Sequence, residues 1–459
     1  AGSTSREAML AELTDQVLNN GSTGLIDKNI NQKRLAARAN SGVYGLNDYT
    51  AFMLQAYPKT NQSLDDLKTV LLQQIEVLKS GNWDENILTA AINNLRFREI
   101  RSLESNSARA MKMAQAYLAN ESWGNVVNSL DMMSKVSKEE IVAFANKVFK
   151  ANNYVVVKKV QGEPASVEKV EKPPITPIQI NRDAESSFFK QIKARKVTPI
   201  QAEFPDYSKA MSIEKTDKGT EILYVKNKDN SRYSLTFRYA VGTWENKYLQ
   251  LLGYYQKYLH TPFLTQEQVQ EKLFNLATSF RISSNGEETL VTMEGLTDNM
   301  VEALEVVDDL LTNPVLDTAI VEDIKNQIKK DRQDAKSKQA SCFSALGSYA
   351  LYGEKTAHRT LLSDKEIDKI TAVALCNQIK DLKSYKEQIR YYGDLSEDAL
   401  SSCLKQNHKM ADKVTKVAKA KPSEKQATKK NEVFFVDYPA KQSYCRMFIV
   451  GDKYNESER

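Results

Sequence analysis

The sequence predicts an α+β fold of tandem homologous units, each an antiparallel sheet with helices packed on one face, and two observations predict it. Asn61 to Asn106 lines up with Gly295 to Gln339 at a nearly constant offset, so one structural repeat occurs twice. Glu432 to Val450 then repeats Glu221 to Val241, a strand, a turn and a second strand. The phase of these copies reads as a window on a longer series. Residues 1–160 form a unit lacking its first hairpin, 161–204 a Pro-rich connector, and 205–410 a complete unit. A Lys-rich linker, 411–431, then leads into the opening hairpin of a further repeat, 432–459. At 459 residues each unit is long enough to bury a core of its own.

The elements follow in order. Arg6 to Leu18 reads as the helix that Tyr248 to Leu259 forms in the second unit, where Gly242 and Asn246 lead into it. Tyr49 to Tyr57 is rich in β-formers and stops at Pro58. Ser63 is a good N-cap with Asp65 and Asp66 in the first turn, and Leu64, Leu67, Val70, Leu71, Ile75 and Leu78 make an apolar stripe at helical spacing up to Gly81. A second long helix runs from about Asp84 to Arg101. Ser137 and Glu140 form a capping box that opens a short helix through Phe149, and Tyr154 to Val160 is the expected closing strand. The second unit repeats the plan. It has the strand pair Glu221 to Val241, a strand at Leu290 to Met293, helices Met300 to Leu311 and Ile320 to Lys336, a capping box at Ser363 and Glu366, and a strand at Gln388 to Tyr392.

Two stretches lack periodicity. Gln161 to Phe204 carries Pro164, Pro173, Pro174, Pro177 and Pro199, with Pro205 just after, and reads as an extended spacer. Ala411 to Asn431 carries Lys413, Lys416, Lys419, Lys421, Lys425, Lys429 and Lys430 with little apolar mass. It reads as a solvated flexible linker rather than an anionic docking patch.

Composition excludes several function classes. Charge is nearly balanced, 64 Lys+Arg against 59 Asp+Glu, and mixed along the chain, which gives no reason to expect a nucleic-acid partner. No apolar run is long enough to span a membrane. Cys342, Cys376, Cys403 and Cys445 are widely spaced with no CxxC pair, so they read as buried or free thiols rather than a disulfide or metal site. Gly-x-Ser-x-Gly, a Walker loop and GxGxxG are missing. Glu99, Glu104, Glu139, Glu140, Glu287 and Glu288 sit in polar stretches and read as surface charge rather than acid/base groups. Tyr248, Tyr254, Tyr255 and Tyr258 share one helix and read as core or interdomain packing rather than peptide contacts. Of the histidines, His260, His358 and His408, none has a second His at one-turn spacing, and His260 reads as an exposed or satisfied side chain.

Several segments carry a resemblance. Leu223 to Asn227 (LYVKN), Gly295 to Leu311 (GLTDNMVEALEVVDDLL) and Tyr349 to Ile367 (YALYGEKTAHRTLLSDKEI) resemble the pitrilysin/insulinase family of zinc metallopeptidases. Lys172 to Asp183 (KPPITPIQINRD) and Glu432 to Tyr444 (EVFFVDYPAKQSY) resemble its bacterial four-domain members. The resemblance covers essentially the whole chain and rests on a pattern of segments. It implies tandem metallopeptidase domains of the LuxS/MPP-like fold, closing as paired halves around an inner chamber. It also implies His-x-x-Glu-His on the first helix of an active unit, two His binding zinc and the Glu acting as general base on its water.

That motif is absent here. Aligning the Gly-Thr that follows the family's helix with His260-Thr261 puts Leu251, Tyr254 and Tyr255 at the motif positions, none of them a zinc ligand of that kind. The implied site inventory is therefore no catalytic residue, no metal ligand and an unassigned substrate contact. The implied function is the non-catalytic part of a zinc metalloendopeptidase, with zinc on a domain encoded upstream. Its partners would be peptide or unfolded protein substrate, the upstream catalytic domain or a separate active subunit, and a dimer is allowed. The alternative is a non-enzymatic scaffold subunit that assembles with a separate active chain. The bacterial periplasm or cell envelope is the compartment the resemblance favours, the cytoplasm the alternative. Three expectations follow: the chain alone binds no zinc, the hairpin Glu432 to Val450 packs on a sheet edge, and the connector alone sets the reach between the halves.

Overall fold

The structure, a computed structural model, describes residues 2–59, 61–160, 162, 171–179, 181–357, 361–412, 414, 424–426 and 430–451. His358, most of the Lys-rich stretch and part of the Pro-rich connector lie outside the described residues.

Strand β1 (Arg38–Gly45) pairs antiparallel with β2 (Thr50–Tyr57) from Arg38 against Tyr57 to Gly45 against Thr50. Sequence reading passes over β1, because its Asn, Ser and Gly residues are poor β-formers and the partner strand supplies the order. Around this ladder, helices Arg6–Leu18, Leu64–Ser80, Asn86–Leu103 and Lys138–Val148 enclose Leu13, Val17, Leu18, Ile26, Ile30, Ile75, Leu78, Ile87, Leu88 and Ile141. The local signals behave as expected. Ser63 accepts from the Asp66 amide at 3.0 Å, and Gly81 closes the same helix with φ 70°, a conformation that suits glycine. Ser137 and Glu140 form the reciprocal capping box.

The C-terminal part is a six-stranded sheet of β3 (Ser212–Lys215), β4 (Glu221–Lys226), β5 (Arg232–Tyr239), β6 (Ser279–Ser284), β7 (Thr289–Leu296) and β8 (Glu387–Gly393) in the order β3-β4-β8-β5-β7-β6. Alternation along the strands sends Tyr233, Leu235, Phe237, Tyr239, Val291, Met293, Ile389 and Tyr391 to one buried face. Helices Met300–Thr312, Ala372–Leu382 and Glu397–Asn407 add Leu304, Val307, Leu311, Leu375, Ile379, Leu400 and Leu404 to the same cluster. Each such large side chain contributes about 1.5–3 kcal/mol on burial, and the layer rests on that sum. Ser363 and Glu366 again form the expected box.

Five expectations need correction. The sheet is mixed, because β4 and β8 run parallel. The β4 and β5 strands are not a hydrogen-bonded hairpin: β8 inserts between them, parallel to β4 and antiparallel to β5. Tyr154 to Val160 is not a strand. Its counterpart β8 is held on both sides by β4 and β5, and among the described residues no strand pairs with 154–160 to receive its backbone groups. The expected helix Tyr248 to Leu259 is broken into a 3₁₀ turn Lys247–Leu251, one α-turn Leu252–Tyr255 and a 3₁₀ turn Gln256–Tyr258. The expected hairpin Glu432 to Val450 forms no ladder among the described residues, and it lies along helix Gln339–Ala357 instead. Phe343 meets Tyr444 edge-on at 5.4 Å, Tyr349 meets Phe434 at 5.8 Å, and Gln339 donates to the Gln442 carbonyl at 2.7 Å. Two short strands without a covering layer gain less from pairing than these aromatics gain on the helix.

The connector is exposed where described and contains one short helix, Ser187–Ala194, capped by Ser186. The two cores do not depend on it for contact. Phe274 packs on Ala90 and Ala91, Asn94 donates to the Phe274 carbonyl at 2.8 Å, and Ser22 donates to the Gln270 carbonyl at 3.1 Å.

Candidate functional site

Asn246 opens the broken helix by accepting from the Tyr248 amide at 3.1 Å. Of the three motif positions, Leu251 is 2 % exposed and Tyr255 fully buried. Tyr255 donates to the Leu375 carbonyl at 3.3 Å, and burial pushes its hydroxyl pKa far up. Tyr254 is half-buried and donates to Asp331 Oδ2 at 3.2 Å; burial first, then the Asp331 charge, raises its pKa. The side chains at these positions are therefore core and rim packing, with both tyrosines held as neutral phenols. Among the described residues no group of three or more His, Cys, Asp or Glu side chains is placed to hold a metal. Tyr248, Tyr254 and Tyr258 pack at the core's margin, as the sequence reading expected of that stripe.

Next to this helix lies one of the sheet's two edges, β6, which among the described residues pairs with β7 alone. The Gln256 side-chain carbonyl accepts from the Ile282 amide at 2.6 Å. One of the edge's outward N–H groups is thereby satisfied by a side chain of the degenerate helix.

Two polar clusters escape sequence reading. The first joins the two cores. Glu104 Oε1 accepts from Arg232 Nε at 2.6 Å and from Asn230 Nδ2 at 3.1 Å, while Arg101 pairs with Glu294 at 3.0 Å. The Arg232 guanidinium lies over the Tyr392 ring at 5.2 Å. The hydrogen bond from Arg232 holds the Glu104 carboxyl below its ordinary range. Lys28 pairs with Glu271 at 3.2 Å, and Arg34 pairs with Asp323. Glu104 is therefore an anchor of the joint rather than plain surface charge. Glu99 and Glu288 pair with Lys112 and Arg238 within their own halves.

The second cluster is buried under the C-terminal sheet. His408 caps helix Glu397–Asn407, stacks on Phe237 at 4.2 Å and faces a carboxylate at each ring nitrogen. Asp308 stands 2.7 Å from Nδ1 and Glu387 3.0 Å from Nε2. Lys383 completes it, 2.8 Å from Asp308. The carboxylates lie on opposite sides of the ring and cannot converge on one ion. Lys383 and Glu387 lie close together, but Asp308 and His408 are distant from them and from each other in sequence, which is why no local motif announces the cluster. His260 is unlike His408: it is half-buried, 3.6 Å from the exposed Asp317, with its backbone bridging to Val315. All four cysteines are free thiols, with Cys376 and Cys403 buried and shifted up by that burial.

No family model matches the chain, and no curated protein matches it. Solved structures do match. One is a peptidase M16 inactive domain from Pseudomonas fluorescens, at 19 % identity and TM-score 0.39 over 46 % of this chain and 52 % of that one. Another is the periplasmic protease PqqL from Escherichia coli, at 12 % identity and TM-score 0.42 over 92 % of this chain and 48 % of that one. A third is a mutant of the ferredoxin protease FusC in complex with Arabidopsis ferredoxin, at 10 % identity and TM-score 0.44 over 91 % of this chain and 49 % of that one. The chain spans about half the length of each of these structures. Its structural neighbours are pitrilysin-family proteins, the group that its sequence resembles.

Proposed function

We propose that this chain is the non-catalytic part of a zinc-dependent metalloendopeptidase, contributing chamber wall and peptide contacts to an active unit that carries the zinc. The division into units 1–160 and 205–410, with a further repeat opening at 432, belongs to the same proposal, as does a bacterial periplasmic setting. The observation that carries the reading is the fate of the motif helix: Leu251 and Tyr255 are committed to the core and Tyr254 to a rim hydrogen bond. A chain that binds substrate without cutting it needs main-chain contacts that tolerate varied sequences, and an exposed strand edge such as β6 supplies them. Metal analysis of the purified chain, with cleavage of a labelled unstructured peptide followed alongside, tests the reading. No zinc and no turnover are expected, with the peptide still cross-linking near Ser279–Ser284. About one zinc per chain, or turnover that a chelator abolishes, would overturn it.

A further inference from the structure

The imidazole of His408 has a carboxylate oxygen within hydrogen-bond distance of both ring nitrogens. A neutral imidazole donates from one nitrogen only, so with both carboxylates ionised this geometry requires the doubly protonated, cationic ring. The charges then balance, Asp308 and Glu387 against His408 and Lys383, with His408 and Asp308 buried and Lys383 and Glu387 partly buried beside them. Every packed element contributes. Helix Met300–Thr312 brings Asp308 and Thr312, whose hydroxyl accepts from Lys383 at 2.8 Å. The turn after helix Ala372–Leu382 brings Lys383. Strand β8 brings Glu387, and β5 brings the Phe237 ring and the buried Tyr239 hydroxyl, held neutral by burial and by the Glu387 charge. The Lys409 amide donates to Asp308 at 3.2 Å.

Among the described residues, His408 is also the last deeply buried anchor before the chain leaves the C-terminal core. Beyond it, Lys218 holds the Met410 carbonyl at 3.0 Å and pairs with Asp412 at 2.6 Å, both at the surface.

We propose that His408 is a proton-operated fastener: the imidazolium clamped between Asp308 and Glu387 ties the end of helix Glu397–Asn407 and the outgoing chain to the sheet, and loss of its proton frees that end without melting the sheet. Deprotonation leaves a lone pair facing a carboxylate oxygen, which must separate. Burial alone pulls the ring's pKa down, but the bonds to Asp308 and Glu387 outweigh it and set the pKa above the ordinary 6.5. For a raised pKa the stabilisation is complete below 6.5 and is lost as pH rises through the higher folded value.

The test uses the full chain. With three histidines in the sequence, the imidazole carbon-bound proton signals are few, and His408→Gln identifies one by its loss. Backbone hydrogen exchange of 397–410, corrected for intrinsic pH dependence, is followed from about pH 6 to 10. Its protection should fall about tenfold per pH unit beyond the His408 midpoint, while β5 and β7 stay protected. In His408→Gln that step should vanish. Glu387→Gln keeps the histidine and should move its midpoint down, which keeps the test open if the first variant does not fold. A flat protection profile in the parent chain, a step that persists in His408→Gln, or an unmoved midpoint in Glu387→Gln would each overturn the proposal.

Discussion

The sequence reading pairs Tyr154 to Val160 with Gln388 to Tyr392 as the closing strands of two like units, yet only the second forms a strand, β8 (Glu387–Gly393). The first is as rich in β-branched residues as any segment of the chain, with Val155, Val156, Val157 and Val160, and all four are exposed. In the second, Ile389 and Tyr391 are buried, with β4 on one side and β5 on the other. Propensity proposes a strand, and neighbours decide it.

Paired substitutions sharpen the contrast. Ile389→Ala removes fully buried methyl groups and should cost about 2–5 kcal/mol in denaturant unfolding, whereas Val157→Ala should stay within about 0.5 kcal/mol. Equal costs would mean that 154–160 pairs in solution after all.

The buried carboxylates separate the two cores in a second way. Burial is the largest influence on both Asp27 and Asp308 and pushes both upward. In Asp27 it prevails over the hydrogen bonds from the Asn20 and Gly21 amides, so the pKa stays raised. In Asp308 the hydrogen bond from His408 and the Lys383 charge reverse it, down to about 2. A depressed acid gives stability that is present above its unfolded value near 3.8 and lost as pH falls through about 2; a raised acid gives the opposite sign, relief as pH falls from neutrality towards the unfolded value. Asp308→Asn should cost the C-terminal core about 3–5 kcal/mol at neutral pH, because it strips a partner from a buried network. Asp27→Asn should flatten the gain of the N-terminal core on mild acidification. Hydrogen exchange resolved by segment reads both, and the same sign in both cores would refute the distinction.

The signals confined to one turn were legible: Ser63, Gly81, and the boxes at Ser137 with Glu140 and Ser363 with Glu366 set helix ends through contacts three or four residues apart. The insertion of β8 between β4 and β5 was not, because sheet order depends on pairings between segments distant in the chain, and alternation shows a face without showing a neighbour. The same holds for the site. Leu251, Tyr254 and Tyr255 could be placed from the resemblance, but the His408 cluster draws on Asp308, Lys383 and Glu387, which share no spacing rule.

Smaller effects concern how the halves meet. Arg232→Ala removes a charge-assisted bond to Glu104 and the contact with Tyr392, and should weaken the joint by about 1.5–3 kcal/mol. Energy transfer between labels on the two halves should then broaden, while Arg238→Ala, within the second half, should leave it unchanged. The smallest effect is expected for Pro173, Pro174 and Pro177 changed to Gly and Ser. With Asn94, Ser22 and Glu104 bridging the halves directly, the distance distribution should not move. Broadening there would restore the connector as the element that sets the reach.

Gln256 gives the open edge of the sheet an economy of its own. A primary amide offers one acceptor and one donor group in a plane, the same face that a peptide unit presents, so at Ile282 the sheet meets a surrogate for a seventh strand. Any extended chain that joins there must first evict this surrogate, losing a bond worth about 1 kcal/mol. A brief encounter through one or two main-chain bonds gains little, while a longer run of pairing easily outweighs the loss. Pairing at this edge is therefore weighed by the length of contact, since the loss at Ile282 is a single bond.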